Sequence, residues 1–322
     1  MMHNVNQQAL KSLSCFFAVT FFSTSRMCTD VCFLHANAMS VFYFLSLVSK
    51  PLFFMIIGYM DEVDKVTKQE ARLKIKSLLI MLVFWNLIFL FLNLDMIKKG
   101  YLLQNGILFS VVIIYLLYPL VLKGMSHIKW TILTFVAIIA VSLLVDVVNI
   151  VTHEHSNIFL PDYYSLWIWP AYYIFGRLLG TERGGKVTKE QRVALWAKVI
   201  LVPAAVSMYF YEQYLSTHAP KETTPWFLLE HAHLVLLSLC LFIWFDNLVI
   251  RNNLVRHIVA FISPAMVGVY IVHYSVFYFI TTLYDFNYAT LKFTLLILVF
   301  LSSVIISRLL LMNKFTSKFI TF

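Results

Sequence analysis

Charge is scarce in this sequence: Asp, Glu, Lys and Arg make up 13% of its 322 residues, against 61% hydrophobic. Soluble globular domains carry roughly 25% charged residues, so too little polar sequence remains here to cover a folded chain in water. An ordinary soluble domain is excluded, and the mean hydropathy of +0.81 agrees. Cysteine is limited to Cys15, Cys28, Cys32 and Cys240, too few and too scattered for a disulfide framework or a metal motif. Cys28 and Cys32 are close enough in sequence for a bridge, but buried free thiols are the plainer reading. Glycine (9) and proline (8) are sparse, and no internal repeat is visible, which counts against a transporter built from inverted repeats and broken helices. No H-x-x-x-H pair, G-x-S-x-G elbow or glycine-rich nucleotide loop occurs. Any chemistry must be assembled from separate segments. Leu13 to Phe22 lacks a small-residue cleavage site and reads as a retained first helix, not a signal peptide.

What the sequence does contain is long apolar runs. A spanning helix needs about 20 mostly apolar residues. Windows of that length predict an all-α, polytopic membrane bundle of about ten transmembrane helices, near 8–24, 40–60, 77–94, 105–122, 130–150, 164–180, 195–211, 228–248, 258–280 and 290–312. The loops are short, so residues 1–322 read as one domain. The net charge of +9 is dispersed in clusters between the apolar runs, a topological pattern that argues against nucleic acid. With N- and C-termini cytoplasmic, 19 of the 25 Lys and Arg residues fall on the inner side, as the positive-inside rule requires.

Ionisable groups within apolar runs are functional candidates by default. His273 stands inside Val267–Tyr274, away from either end of its run, where an imidazole serves as a general base or ties two helices together. Lys50 and Arg177 are near helix ends and can snorkel to water, and Asp246 sits where capping or pairing would occupy it. Asp146, Glu230, His231 and His233 complete the set; the two histidines are two residues apart and so face different sides of a helix. Arg72, Lys74 and Lys76 precede the apolar run Leu78–Trp85; they either anchor topology or meet the phosphates of an anionic cytosolic donor such as an acyl-CoA. Asp162, Tyr163 and Trp167, followed by Trp169, Tyr172 and Tyr173, read either as interfacial anchors or as a platform for sugar rings.

Four segments resemble the integral membrane acyltransferase 3 family, whose bacterial members acylate surface polysaccharides. Pro51–Tyr59 looks like its P-L-F-F-x-x-S-G-Y segment, and Lys74–Trp85 is similar to its basic segment with an apolar run ending in Trp. Tyr115–Leu120 resembles its Y-L-x-x-P-L helix, and Ser263 with Gly268–His273 its S-x-x-x-x-G-x-Y-x-x-H pattern. The resemblance implies transfer of an acyl group, acetyl first among them, from acyl-CoA to a hydroxyl of a cell-surface or lipid-linked saccharide, in the bacterial inner membrane. No bound cofactor and no metal is implied; acyl-CoA is a donor substrate. Membrane lipids and the polysaccharide-export machinery are the expected neighbours. Carried over residue by residue, His273 is the candidate base and Lys11, Lys74 and Lys76 the donor contacts; the neighbouring Arg72 joins the donor contacts, and Asp162, Tyr163, Trp167, Glu230 and Tyr270 are read as the acceptor contacts from the outer aromatic and acidic surface and the residues near it. The opening departs from the family: Lys11 stands in its arginine position and Phe22 where a first-helix histidine is expected. Phenylalanine accepts no proton. His273, and more remotely His35, would have to supply the base, or the chain has dropped catalysis and become a glycan or lipid transporter or an accessory subunit.

Overall fold

The computed structural model describes residues 2–27, 38–92, 102–127, 129–133, 136–137, 140–141, 144, 165–181, 186–218, 232–284 and 289–322. Among these the regular elements are helical: α1 Met2–Met27, α2 Ala38–Ser46, α3 Ser49–Val63, α4 Lys68–Leu92, α5 Leu102–Leu116, α6 Tyr118–Ser126, α7 Ser165–Gly180, α8 Gln191–His218, α9 Ala232–Asp246, α10 Asn253–Ile262, α11 Met266–Leu283 and α12 Ala289–Met312, with 3-10 turns at Ser263–Ala265 and Thr316–Phe319.

Local chemistry sets several of these boundaries. Thr67 caps α4 in a reciprocal box: the Glu70 carboxylate accepts the Thr67 backbone N–H (2.6 Å) and hydroxyl (2.8 Å), and the Glu70 N–H donates back to the Thr67 hydroxyl (3.2 Å). Those bonds hold the Glu70 carboxyl below the usual carboxylate range. The Asn252 side chain caps α10 by accepting from the N–H groups of Leu254 and Val255. Pro51 falls in the first turn of α3, where a missing N–H is tolerated.

The expectation of about ten spans is overturned. Among the described residues only four helical stretches are long and apolar enough to cross a membrane: Ser40–Val63, Gln191–Tyr211, Asn253–Leu283 and Leu291–Met312. A fifth arises if Ile107–Leu116 and Tyr118–Ser126, bent by 63° at Leu117, form one broken span. The physical reasons differ along the chain. The first candidate, 8–24, lies in a 26-residue helix rich in hydroxyls, and Ser12, Ser14, Thr20, Ser23 and Thr24 are buried. That helix is a polar centrepiece touching α2, α3, α9, α10, α11 and α12. The 164–180 and 228–248 candidates become helices of 16 and 15 residues, about 24 and 22 Å long at 1.5 Å per residue. Most of 130–150 lies outside the described residues. With ten alternating spans gone, the assignment of both termini to one side loses its basis.

Burial sorts the remaining spans. The best apolar window of Ser40–Val63 is 83% buried, that of Gln191–Tyr211 only 22%. On α8 the exposed residues Leu195, Trp196, Val199, Val202, Val206 and Phe210 recur every three or four positions. A stripe of that kind at that spacing is a lipid-facing surface. The chain is a multi-pass membrane protein with α1 and α3 at its centre.

Candidate functional site

The site is built where α3 and α7 touch at backbone level. A Cβ on Gly58 would lie 2.0 Å from the Tyr173 carbonyl oxygen, and one on Gly176 would lie 2.0 Å from that of Met55. Only glycine at both crossings permits this approach. Three and four residues beyond Gly58, on the same face of α3, stand Asp61 and Glu62. The matching positions on α7 are Tyr173 and Arg177. The close crossing therefore delivers two acids to a tyrosine and an arginine.

Asp61 is 1% exposed and fully engaged. Its carboxylate accepts from the Lys74 ammonium (2.6 Å), the Tyr115 hydroxyl (2.8 Å) and the Tyr173 hydroxyl (2.7 Å). Lys74 also donates to the Tyr115 oxygen at 3.3 Å. Beside this group, Arg177 forks onto Glu62, with Nε 3.0 Å from Oε2 and Nη2 on the same oxygen, and gives Nη1 to the Tyr118 hydroxyl at 2.7 Å. Tyr118 in turn donates to the Val66 carbonyl at 2.7 Å. Five helices, α3, α4, α5, α6 and α7, are thus joined at one end by charge-assisted bonds, which are about twice as strong as neutral ones.

A second polar layer lies deeper in the bundle. The Tyr270 hydroxyl donates to the Ser49 carbonyl (2.7 Å) and receives the Ser14 hydroxyl (2.9 Å), joining α1, α3 and α11. One turn on, His273 is 4% exposed with its Nδ1 2.7 Å from the Val269 carbonyl. A carbonyl only accepts, so Nδ1 carries the hydrogen and the lone pair of the neutral ring belongs to Nε2. The Phe22 ring meets the imidazole edge-on, centroids 5.3 Å apart, and also packs against Tyr274 and Phe277. On the adjoining side of α1, the Lys50 ammonium lies 5.3 Å from the Phe21 ring centre and 5.4 Å from that of Trp169.

The structure brings together some of the residues singled out from sequence and separates others. Lys11 lies close enough to Lys74 and Asp64 to feel both charges. Arg72 and Lys76, each two residues from Lys74, are exposed on other sides of α4. Lys74 is an ion-pair partner of Asp61 with a 26% exposed side chain, so it is not a bare cation. Phe22, where the resemblance led to a histidine being expected, is in contact with His273. Tyr270 is committed to Ser14 and Ser49. Trp167 lies in α7, while Asp162, Tyr163, Glu230, His231, His35 and Asp146 fall outside the described residues. Lys50 and Arg177 do not snorkel; both are buried. Trp169, Tyr172 and Tyr173 are buried too and serve neither as interfacial anchors nor as a sugar platform. Asp246 accepts the Thr188 hydroxyl at 3.1 Å. Asp61 and Glu62 were missed from sequence.

Compared with known proteins, residues 9–312 match the acyltransferase 3 family, described as an acyltransferase domain. No curated protein and no solved structure matches the chain. The match covers nearly the whole sequence, and the chain belongs to this family of membrane acyltransferases.

Proposed function

We propose, on the strength of that membership, that the protein moves an acyl group, acetyl first among them, from acyl-CoA to a hydroxyl of a cell-surface or lipid-linked saccharide in the bacterial inner membrane. The observation that carries the reading is the family match across residues 9–312. The geometry supports a division of labour along α1. The donor's phosphates approach the basic end at Lys11 and Lys74, with Arg72 and Lys76 exposed nearby. The acyl carbonyl reaches His273, level with Phe22, which is eleven residues or roughly 16 Å from Lys11 along the helix. An extended pantetheine arm bridges such a gap.

At that point the chemistry is acyl transfer assisted by a base. Nε2 of His273 takes the proton of the acceptor hydroxyl as its oxygen attacks the thioester carbonyl. The tetrahedral intermediate collapses, the carbon–sulfur bond breaks, and the CoA thiolate recovers the proton from the imidazolium. An ester and free CoA result. Asp162, Tyr163, Trp167 and Glu230 are the proposed saccharide contacts, and Tyr270 anchors the layer next to the base. Polysaccharide-export machinery would draw on the product.

Phe22 favours a second reading, in which the scaffold has kept its shape without chemistry and handles glycan or lipid as a transporter or accessory subunit. Membranes containing the protein, given labelled acetyl-CoA, separate the two. Ester-linked label on saccharide, reduced about 100-fold by His273→Gln at equal protein level, is expected. Undiminished transfer in His273→Gln would move the base elsewhere, and movement of unmodified saccharide without label would favour the second reading.

A further inference from the structure

The end of the chain carries a charge imbalance that acyl transfer does not use. From residue 247 to 322 the basic residues are Arg251, Arg256, Lys292, Arg308, Lys314 and Lys318, against the single acid Asp285. Arg308 lies within the span Leu291–Met312, four residues from its end. Its guanidinium sits 4.9 Å from the centre of the Phe261 ring. Among the described residues it has no carboxylate partner and no hydrogen-bond acceptor. Its planar fork carries five N–H donors.

The depth of this group follows from helix arithmetic. Ser307 of α12 abuts Gly268 of α11, which sets the two helices in register. Phe261 lies seven residues before Gly268, about 10 Å towards that end of the bundle, and Met312 lies five residues past Ser307, about 7.5 Å in the same direction. The Arg308 side chain thus reaches past its own Cα to a level roughly 3 Å beyond the end of the apolar window of α12. That is the headgroup layer. The span Asn253–Leu283 has 31 residues, about 46 Å, against a hydrocarbon core of about 30 Å. The excess corresponds to α10, which threads that layer. Ile305 and Leu309 on α12, both exposed, offer an apolar wall below the guanidinium, and the exposed Phe261 ring flanks it.

The geometry points to a site for an anionic phospholipid, its phosphate on the Arg308 guanidinium and its acyl chains along Ile305, Leu309 and Phe261. Local charge selects the lipid: a segment with six basic residues and one acid favours a headgroup of net negative charge over a zwitterionic one. Phe261 holds the arginine in place through its ring face.

The test uses purified full-length protein in detergent, titrated with short-chain phosphatidylglycerol, with phosphatidylcholine of the same chains, and with inorganic phosphate, bound lipid being read by native mass spectrometry. Wild type should bind phosphatidylglycerol about 5-fold more tightly than Arg308→Gln, the worth of one surface cation. Phe261→Leu, at an exposed ring, should weaken it about 2-fold or more and carries the test alone if Arg308→Gln does not fold. Wild-type affinity in both variants would overturn the site. Equal binding of phosphatidylcholine would overturn the charge selection, and displacement by inorganic phosphate at lipid-like concentrations would make it a free-anion site.

Discussion

Asp61→Ala is the perturbation whose size the structure determines most directly. The substitution leaves the Lys74 ammonium and the hydroxyls of Tyr115 and Tyr173 facing a space with no acceptor. Removing one partner of a buried ion pair costs about 3–5 kcal/mol. Lys74 retains 26% exposure and regains some hydration, so the lower part of that range is expected. Lys74→Met should cost at least as much, because it leaves Asp61, at 1% exposure, with only two neutral donors. The double variant removes both charges together. It should therefore be less destabilised than the sum of the single variants by about 1–3 kcal/mol, the coupling of groups in contact. Denaturant-induced unfolding in detergent micelles, followed by tryptophan fluorescence, measures all four corners of the cycle. Energies that add to within about 0.5 kcal/mol would refute the reasoning, showing that the pair is geometrically close yet energetically independent.

Gly176→Ala should reverse the usual sign of a glycine-to-alanine change in a helix, which is stabilising by about 1 kcal/mol. The new methyl would meet the Met55 backbone at 2.0 Å, forcing α3 from α7 and costing several kcal/mol instead; a normal yield of monodisperse protein on size exclusion would contradict this. At the start of α4, the Glu70 carboxyl is held below its unfolded value by Thr67, so its contribution is complete above the unfolded pKa and fades as pH falls through the lower folded value. Protection of the Thr67 amide against exchange, relative to its intrinsic rate at each pH, should fall on acidification across that window, and Glu70→Gln should flatten the response; an unchanged profile in the variant would remove Glu70 from the cap.

Hydropathy located four spans close to where they lie, because 40–60, 195–211, 258–280 and 290–312 are continuous apolar runs and contiguity is visible in one dimension. The bend at Leu117 was not visible, since a window average across 105–122 counts residues without their direction. Nor does a one-dimensional reading say which helices lie at the centre. Lys50 and Arg177 were therefore read as snorkelling, although a backbone-level crossing encloses them, and Trp169, Tyr172 and Tyr173 were read as surface features. The candidate site was legible in part for the same reason. His273 stood out as polar within an apolar run. Asp61 and Glu62 follow an apolar run and were not singled out. Their offset from Gly58 acquires meaning only once Tyr173 and Arg177, more than a hundred positions away, present the complementary face.

The buried hydroxyl face of α1 has a consequence for the order in which the protein is made. Asn6 donates to the carbonyl of Asp246, Ser12 to that of Val259, and Ser14 to the Tyr270 hydroxyl, partners 240, 247 and 256 residues further along. When α1 leaves the ribosome, none of those groups has been translated. Lipid offers no substitutes for them, and α1 is not apolar enough to count among the spans. Its docking is therefore a late event in biogenesis, delayed until α9, α10 and α11 have been inserted. Until then α1 is a client of the insertion machinery, and the central position it finally takes is closed by helices that arrive after it.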